Sequence, residues 1–552
     1  MKRIGLILAA GLAAVLAAEE PLLKIGVMSD THVNAKPESF RLVRPALELF
    51  REKKVDLVVH MGDFASRPCP PGYRLYREIF NGIFKENKPA ELFVYDGHDA
   101  VGCKDMMQAF ADMKKELQAS NDPYDKAVIK GHIFLIYPFR ADNVRQEKEI
   151  AQAVAEAKGR PVFVLDHHPP FDTTPDSRIW GNRAKRRLSE KFPQIIRFSG
   201  HSHGSLWNEL NIWQGKFTTV NAGCLQSWPG MLVGGESRGK RTEEVMVVEV
   251  FEKKIVFRCF TVTDKKEIRP DKPWTIPWPF DQATAPYSLA RRKLVDPLAE
   301  FPAGAKLDVV FNGKPARGMK FSFPEAENVR ACYYYKVLLS SGNVPVARRD
   351  LYSSFYLKTP KKTASELMSA GYFEPGKAYT LAVTPVNFAG REGKPLTAAF
   401  TAPEITRGKI MYESADPLLP GCQAFREKTG EKALRRTGEF FHHPGGNVRV
   451  EFPKGTWEGE PGALFRVVMD LQTIQAEDSQ WTIRLCEKTR PAFANLRICT
   501  PAGDSGFLRY VIEFRKPRDA AYFLLITEGA WGRFRFKLLR VERIDGSKPA
   551  AR

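Results

Sequence analysis

Leu22-Leu23-Lys24-Ile25-Gly26-Val27-Met28-Ser29-Asp30-Thr31-His32 is the stretch from which the fold can be read. The apolar run at 22–27 predicts a buried strand, and that strand runs out into Asp-x-His. An extended chain places alternate residues on one side, so the Asp30 carboxylate and the His32 imidazole can reach one point. One oxygen and one nitrogen ligand suit a hard-to-borderline divalent metal. Asp-x-His is common by chance, so its weight depends on whether other strands end the same way.

They do. A strand at 55–59 ends at Met61-Gly62-Asp63, and one at 92–95 ends at Asp96-Gly97-His98-Asp99. A strand at 161–165 ends at Asp166-His167-His168-Pro169-Pro170, and one at 195–198 ends at Ser199-Gly200-His201-Ser202-His203-Gly204. Helical periodicity fills the gaps at 37–54, 73–84, 104–117 and 143–157. Further strands fall at 132–137 and 216–220, with a hairpin over 245–260. Strand–helix alternation predicts an α/β domain, and the late hairpin makes its sheet mixed. In open α/β sheets ligands bind at the carboxyl ends of strands. Six of the ten histidines stand there, which a structural role for each does not explain.

The order Asp-x-His, Gly-Asp, Gly-Asn-His-Asp, His-x-Pro, Gly-His-x-His resembles that of the calcineurin-like metallophosphoesterases, over about residues 24–262. The resemblance implies a four-layer α/β/β/α sandwich with mixed sheets. It implies that Asp30, His32, Asp63 and His203 hold a first divalent ion, and that Asp63 bridges to a second held by His167 and His201. His98 matches the family's catalytic histidine and Asp99 the residue that orients it. His167 rather than His168 fits the His-x-Pro spacing. The chain departs from the family at one point: the Asn ligand is replaced by Gly97, which has no side chain to donate. Either Asp96 supplies the missing oxygen or water does. We expect water, because moving ligation by one residue would reorient the turn that holds His98. The second site is then weaker than the first. Manganese, iron and zinc all suit such mixed nitrogen–oxygen sites.

The chemistry accounts for the residue types. A phosphate ester is anionic and repels nucleophiles. Two divalent ions neutralise it and acidify a bridging water, and the hydroxide attacks phosphorus in line with the leaving oxygen. That oxygen needs a proton, which His98 can give as general acid. The segment 171–191, between two ligand motifs, offers Arg178, Trp180 and Asn182 as candidate substrate contacts. Arg186 and Arg187 read as a solvated helix start. His60, inside a strand end, reads as packing, and Asn221 as structural.

At 552 residues the chain is too long for one core, and its 43% hydrophobic share is that of a globular protein. Residues 1–18 have a basic start, an apolar run and small residues before Glu19, the pattern of a signal peptide. Export to the periplasm or beyond is therefore expected, with no later transmembrane segment. The catalytic domain spans 19–263, and a Pro/Trp-rich linker at 264–302 packs back on it. Residues 303–404 resemble a fibronectin type III module, and 405–546 form a jelly-roll-like sandwich, so two all-β sandwich domains follow the α/β domain. Cys69 with Cys103 and Cys486 with Cys499 are either disulfides or buried thiols. The net charge of +20 is scattered; it favours anionic substrates or surfaces, or serves solubility, and no nucleic-acid motif accompanies it. The leading reading is an exported metallophosphoesterase acting on a mono- or diester. The alternative is a binding or adhesion protein, weakened in catalysis by Gly97, that acts through its last domain, with Trp457 or Trp531 stacking on glycan.

Overall fold

The structure is a computed structural model. It describes residues 19–175, 177, 181–226, 243–328, 330–356, 361–426, 436–443, 447–475, 482–487, 496–499, 504–517, 519–527 and 532–544. The signal-peptide stretch 1–18, Arg178, Trp180 and Trp531 lie outside these residues, as does the side chain of Cys499.

The N-terminal part is mixed α/β. Its first sheet holds β1 (Leu23–Met28), β2 (Leu57–His60), β3 (Ala90–Phe93), β10 (Glu244–Val250), β11 (Lys254–Thr261) and β12 (Trp274–Pro277), in the order β12-β11-β10-β1-β2-β3. β1, β2 and β3 are parallel; β10 to β12 add antiparallel strands beyond β1. The second sheet holds β4 (Asp125–Ile129), β5 (His132–Tyr137), β6 (Val162–Asp166), β7 (Ile195–Ser199), β8 (Ile212–Gln214) and β9 (Thr218–Asn221), in the order β4-β5-β6-β7-β9-β8. The four central strands are parallel and the two edges antiparallel.

Strand alternation decides which side chain goes where. Ile25, Val27, Val59 and Leu92 face Phe134, Ile136, Phe163, Leu165 and Phe198 in one core between the sheets. Met28, Val58 and Phe93 point the other way, into a core shared with α1 (Val43–Glu52), α2 (Pro70–Phe84) and α3 (Met106–Leu117). On the second sheet Ile133, Leu135, Val162 and Val164 pack against Ile150, Ala153 and Ala157 of α4 (Asn143–Ala157). Asp105 and Asp142 cap α3 and α4 by accepting first-turn amides at 2.9–3.4 Å, each cap contributing about 1 kcal/mol. The helical pattern at 37–54 divides into a 3₁₀ turn, Pro37–Phe40, and α1.

Trp274 and Trp278 of the Pro/Trp-rich segment are buried in the core between the sheets, and the Trp278 indole donates to the Gly159 carbonyl at 3.0 Å. β13 (Asp308–Asn312), β14 (Gly318–Pro324) and β17 (Thr363–Ser369) form a three-stranded sheet. β15 (Cys332–Ser341), β16 (Val344–Tyr352), β18 (Ala378–Asn387) and β19 (Leu396–Thr401) form a four-stranded one, and the two share a core. Beyond them two more sheets enclose a core of Val448, Val450, Trp457, Phe465, Val467 and Leu539. Trp457 is 6% exposed and offers no open face for stacking, contrary to the glycan-stacking expectation. Cys69 and Cys103 are free thiols, and Cys103 is exposed. Among the described residues no helix is long and apolar enough to cross a membrane.

Candidate metal centre

The parallel strands of both sheets deliver their carboxyl ends to one edge of the domain. β1 stops at Met28, so the alternation of an extended chain does not bring Asp30 and His32 together. Both instead lie in the left-handed region, φ 52° and 45°, as do Asp63 at 48°, His201 at 65° and His203 at 49°. That conformation is uncommon for non-glycine residues, with Asp and His among the types that tolerate it best. It turns the chain sharply after each strand and aims the side chains at a common point. Gly62 makes the approach possible: its φ is 93°, and a Cβ there would stand 2.6 Å from the His167 Nδ1.

Two donor sets result. Asp30, His32, Asp63 and His203 form one, Asp63, Asp96, His167 and His201 the other; within each set one ligand atom per residue lies within 4.8 Å of the rest. Asp63 belongs to both. In the first set the His203 Nε2 is 2.9 Å from an Asp30 oxygen and 3.4 Å from the His32 Nε2. In the second the His167 Nε2 is 3.4 Å from Asp63 and 3.8 Å from Asp96. The His167 Nδ1 meets the Met61 carbonyl at 2.5 Å. A carbonyl only accepts, so that nitrogen carries a proton and Nε2 is the nitrogen that faces the carboxylates. Ser29 Oγ and the His201 amide both donate to Asp30 Oδ2, at 2.6 and 3.2 Å, leaving Oδ1 to face the cluster.

Do these residues fit divalent ions? Asp30 Oδ1, Asp63 Oδ1, Asp96 Oδ1 and His167 Nε2 are buried with no hydrogen-bond partner. Buried polar atoms are nearly always satisfied, and an ion is one of the few agents that could satisfy all of these together. Two nitrogen–oxygen donor sets sharing a carboxylate fit two such ions.

The charges of the cluster act on one another. Burial opposes the charge on Asp30 and Asp63, yet His203 and His167 beside Asp30, and His167 beside Asp63, hold both below the usual carboxylate range. Asp96 is pushed well above it by burial, with Asp63 adding and His167 opposing. Burial brings His32 down to about 4 against the pull of Asp30, so it is neutral, as a ligand must be. Burial is opposed at His167 by Asp96, Asp63 and Asp30, which hold it well above its ordinary value.

His98 stands outside both donor sets, with its side chain 40% exposed, its Nδ1 3.3 Å from the Ser66 carbonyl and its Nε2 3.9 Å from Asp63. Both Asp99 oxygens accept backbone amides, from Ala65 at 2.9 Å and Asp96 at 3.3 Å. Burial first, then Asp63, pushes its carboxyl up to about 7. His168 also lies outside the sets; its ring packs on His201 with centroids 3.9 Å apart, and its Nε2 is 3.6 Å from Asp96. The Asn182 side chain caps the helix Arg183–Ser189, accepting the Lys185 amide at 3.1 Å. Arg186 is engaged by Asp172 and Glu190. His60 is stacked on Phe93, centroids 4.4 Å apart, and bonded to the Tyr76 hydroxyl at 2.8 Å.

Sequence reasoning missed the group behind His167. Asp166 takes Lys185 at 2.5 Å and Arg197 at 3.1 Å, all three buried, and Arg197 Nε also donates to Ser189. Only part of the signal was present: Arg197 stands between the apolar Ile196 and Phe198 of the strand Ile195–Ser199, but nothing in the sequence names its partners.

Residues 23–205 match the family described as calcineurin-like phosphoesterase. Among solved structures, a dimetal phosphatase from Danio rerio is similar at 10% identity, over 47% of this chain and 100% of that one, with a TM-score of 0.33. A purple acid phosphatase from yellow lupin (Lupinus luteus) seeds is similar at 12% identity, over 46% and 53%, with a TM-score of 0.31. No curated protein sequence matches the chain.

Proposed function

We propose that the calcineurin-like phosphoesterase domain at residues 23–205 hydrolyses a phosphate mono- or diester with two divalent cations. The observation that carries this reading is the pair of buried donor sets joined at Asp63. Asp30, His32, Asp63 and His203 would hold the first ion; Asp63, Asp96, His167 and His201 the second. Asp96 takes the place of the missing Asn ligand: its carboxylate is already among the donors while His98 keeps its place beside Asp63. That juxtaposition supports Asp96 over the water expected from the sequence. Bound, the ions supply Lewis acidity toward the phosphoryl oxygens and a nucleophilic water at neutral pH.

The chain's own groups do the rest. Asp63, a single carboxylate in both sets, fixes the spacing of the two sites. His98 is the only one of the six strand-end histidines that combines substantial exposure with a place outside the donor sets, so it can reach the leaving oxygen. In the protonated ring the Ser66 carbonyl accepts from Nδ1–H, and Nε2–H is the proton given to the departing alkoxide. Asp99, bonded to the amides of Ala65 and Asp96, acts as a positioning residue by holding the turn that presents His98. The β region beyond residue 302 we read as a fibronectin type III-like unit and a jelly-roll-like unit. Its two pairs of sheets, each pair around one core, support that reading.

The test is hydrolysis of p-nitrophenyl phosphate and bis-p-nitrophenyl phosphate by the purified full chain, chelated and then reconstituted with manganese, iron or zinc. Activity lost on chelation and regained on reconstitution is expected. Failure to hydrolyse either ester with any of the three metals would refute the reading.

A further inference from the structure

β5 leads toward α4 through Pro138-Phe139-Arg140-Ala141, a turn closed by the Ala141 amide donating to the Pro138 carbonyl at 3.1 Å. Arg140, its third residue, has φ 62°, whereas Phe139 before it is not left-handed. That is the pattern of a type II turn, whose third position is ordinarily filled by glycine or asparagine. An arginine is strained there, and strain of this kind gathers where function needs a particular side chain. The turn is tied to the candidate metal centre. Phe139 donates its amide to the Tyr95 carbonyl at 2.9 Å, directly before Asp96-Gly97-His98. Its half-buried ring would lie 3.5 Å from a Cβ on Gly97. The same ring has its centroid 5.2 Å from that of His168, which is 3.9 Å from that of His201, a member of the second donor set. The Arg140 guanidinium lies over the Phe139 ring, 5.0 Å from the centroid. A column of planar groups therefore runs from the second donor set out to an exposed cation. Among the described residues the guanidinium has that ring as its one partner. Arg186, by contrast, is engaged by Asp172 and Glu190.

We propose that Arg140 receives a second anionic group of the substrate, carried by the leaving alcohol. This rests on the phosphoesterase reading and names its substrate class: phosphate esters whose alcohol bears a carboxylate or a further phosphate. The two donor sets face the scissile phosphate. Two rings, His168 and Phe139, separate Arg140 from His201, so its guanidinium meets a group beyond the phosphoryl oxygens. That group belongs to the leaving side, because Phe139 packs against Gly97, next to the His98 that protonates the leaving oxygen. A guanidinium matches the two oxygens of a carboxylate or phosphate with paired N–H donors. Stacking on Phe139 holds it in place without consuming those donors.

The test compares kcat/KM of the manganese-loaded full chain for phenyl phosphate, the 2-, 3- and 4-carboxyphenyl phosphates and 1,4-phenylene bisphosphate. The carboxylate series places the second anion at three distances, and the bisphosphate replaces it by phosphate. Arg140→Gly should cost at least one of the doubly anionic esters about tenfold more than it costs phenyl phosphate, charge-assisted hydrogen bonds being lost. A selective loss on a carboxyphenyl ester supports a carboxylate partner, and one on the bisphosphate alone a phosphate. Arg140→Lys should keep part of the selectivity, retaining the charge without the paired donors. Tm of the glycine variant should be no lower than that of the wild type, because the turn accepts glycine. Equal loss on every ester would put Arg140 on the scissile phosphate and overturn the proposal. No loss on any ester, or a lowered Tm that marks the arginine as structural, would overturn it as well. Each of these results leaves hydrolysis by the wild type intact and the phosphoesterase reading standing; a wild type inert toward all five esters would overturn both.

Discussion

Replacing Asp96 by Leu, which has no donor atom, tests the point at which this chain departs from the calcineurin-like pattern that it resembles. Asp96 is 2% exposed, and its ligand atom lies within 4.8 Å of those of Asp63, His167 and His201. Two charged carboxylates at that separation would repel by about 3.5 kcal/mol at an effective dielectric of about 20. His167 offsets part of this repulsion in the metal-free protein. A Leu, branched like Asp but without a donor atom, removes the repulsion and the burial of a charge, so the metal-free variant should be no less stable than the wild type. Metal binding should move the other way. Losing a partner that merely orients a ligand typically costs about 10–100-fold in metal affinity, so losing a ligand itself should cost at least about 100-fold, or about 2.7 kcal/mol. The assay is titration of chelated full-length protein with manganese, alongside thermal unfolding in chelator. One ion bound as in the wild type, a second bound at least about 100-fold more weakly, and an unchanged or raised apo Tm are expected. A merely structural Asp96 would give the opposite pair, normal stoichiometry and a lowered apo Tm, and that result would refute the reasoning. Gly97→Asn is the control. Gly97 has φ −59°, and a Cβ there would meet the Phe139 ring at 3.5 Å, an ordinary contact. The substitution should fit and leave the second affinity unchanged.

Asp63→Asn should abolish hydrolysis of both p-nitrophenyl esters and weaken both ions together; elemental analysis showing one ion retained at full occupancy would remove Asp63 from the bridging position. His98→Asn should leave metal content unchanged and slow hydrolysis of phenyl phosphate by about 10²–10⁴-fold. The loss for p-nitrophenyl phosphate should be smaller, because its better leaving group needs less protonation; equal losses would argue against a general acid. His60 should shape acid stability. Burial, with Arg77 adding, brings it from 6.5 down to about 3, so below about 6.5 the unfolded chain takes up a proton that the fold refuses. The stabilisation is complete above pH 6.5 and is lost as pH falls toward 3, at up to about 1.4 kcal/mol per pH unit. Urea unfolding of the metal-free protein should show this slope for the wild type. His60→Asn should show a shallower slope, His32 still contributing, and be less stable at pH 7 by about 1–3 kcal/mol for the lost packing; identical slopes would disprove the assignment.

Much of the α/β domain could be read directly, because its strands are apolar on both faces and its helices keep their period. The helix at 143–157 and the strand at 132–137 were placed to the residue. β4, Asp125–Ile129, was missed because an edge strand of Asp-Lys-Ala-Val-Ile carries too little apolar character to register. β8 is only three residues long and pairs through its backbone. The site residues were legible as motifs at strand ends. What sequence could not decide was whether Asp96 or water completes the second donor set, since that depends on where the turn after β3 directs one carboxylate. Nor could it give the Asp166–Lys185–Arg197 group, whose members are separated along the chain and meet only when β6 and β7 pair.

The left-handed residues explain why the strand ends carry the types they do. Five residues of the candidate centre, Asp30, His32, Asp63, His201 and His203, have φ between 45° and 65°, a conformation that costs on the order of 1 kcal/mol or more at each non-glycine position. Such strain persists only if the surroundings over-determine it. Here the strand ends are laced to one another: Asp30 donates its amide to the Gly62 carbonyl at 3.2 Å, His32 to Asp63 at 3.0 Å, Gly200 to His167 at 2.8 Å and Leu225 to Ser29 at 2.9 Å. The third of these bonds joins β6 to β7 across the second sheet, and the first two join β1 to β2 across the first. Side chains close the gap between the sheets, because the His201 amide donates to Asp30. The backbone of two sheets therefore holds the donors in place. Asp and His satisfy the donor chemistry and the left-handed turn together, whereas Glu or Cys would meet only the first requirement. Residue type at these five positions is thus doubly constrained, and a short Asp-x-His or His-x-His motif can mark a metal centre assembled from distant parts of the chain.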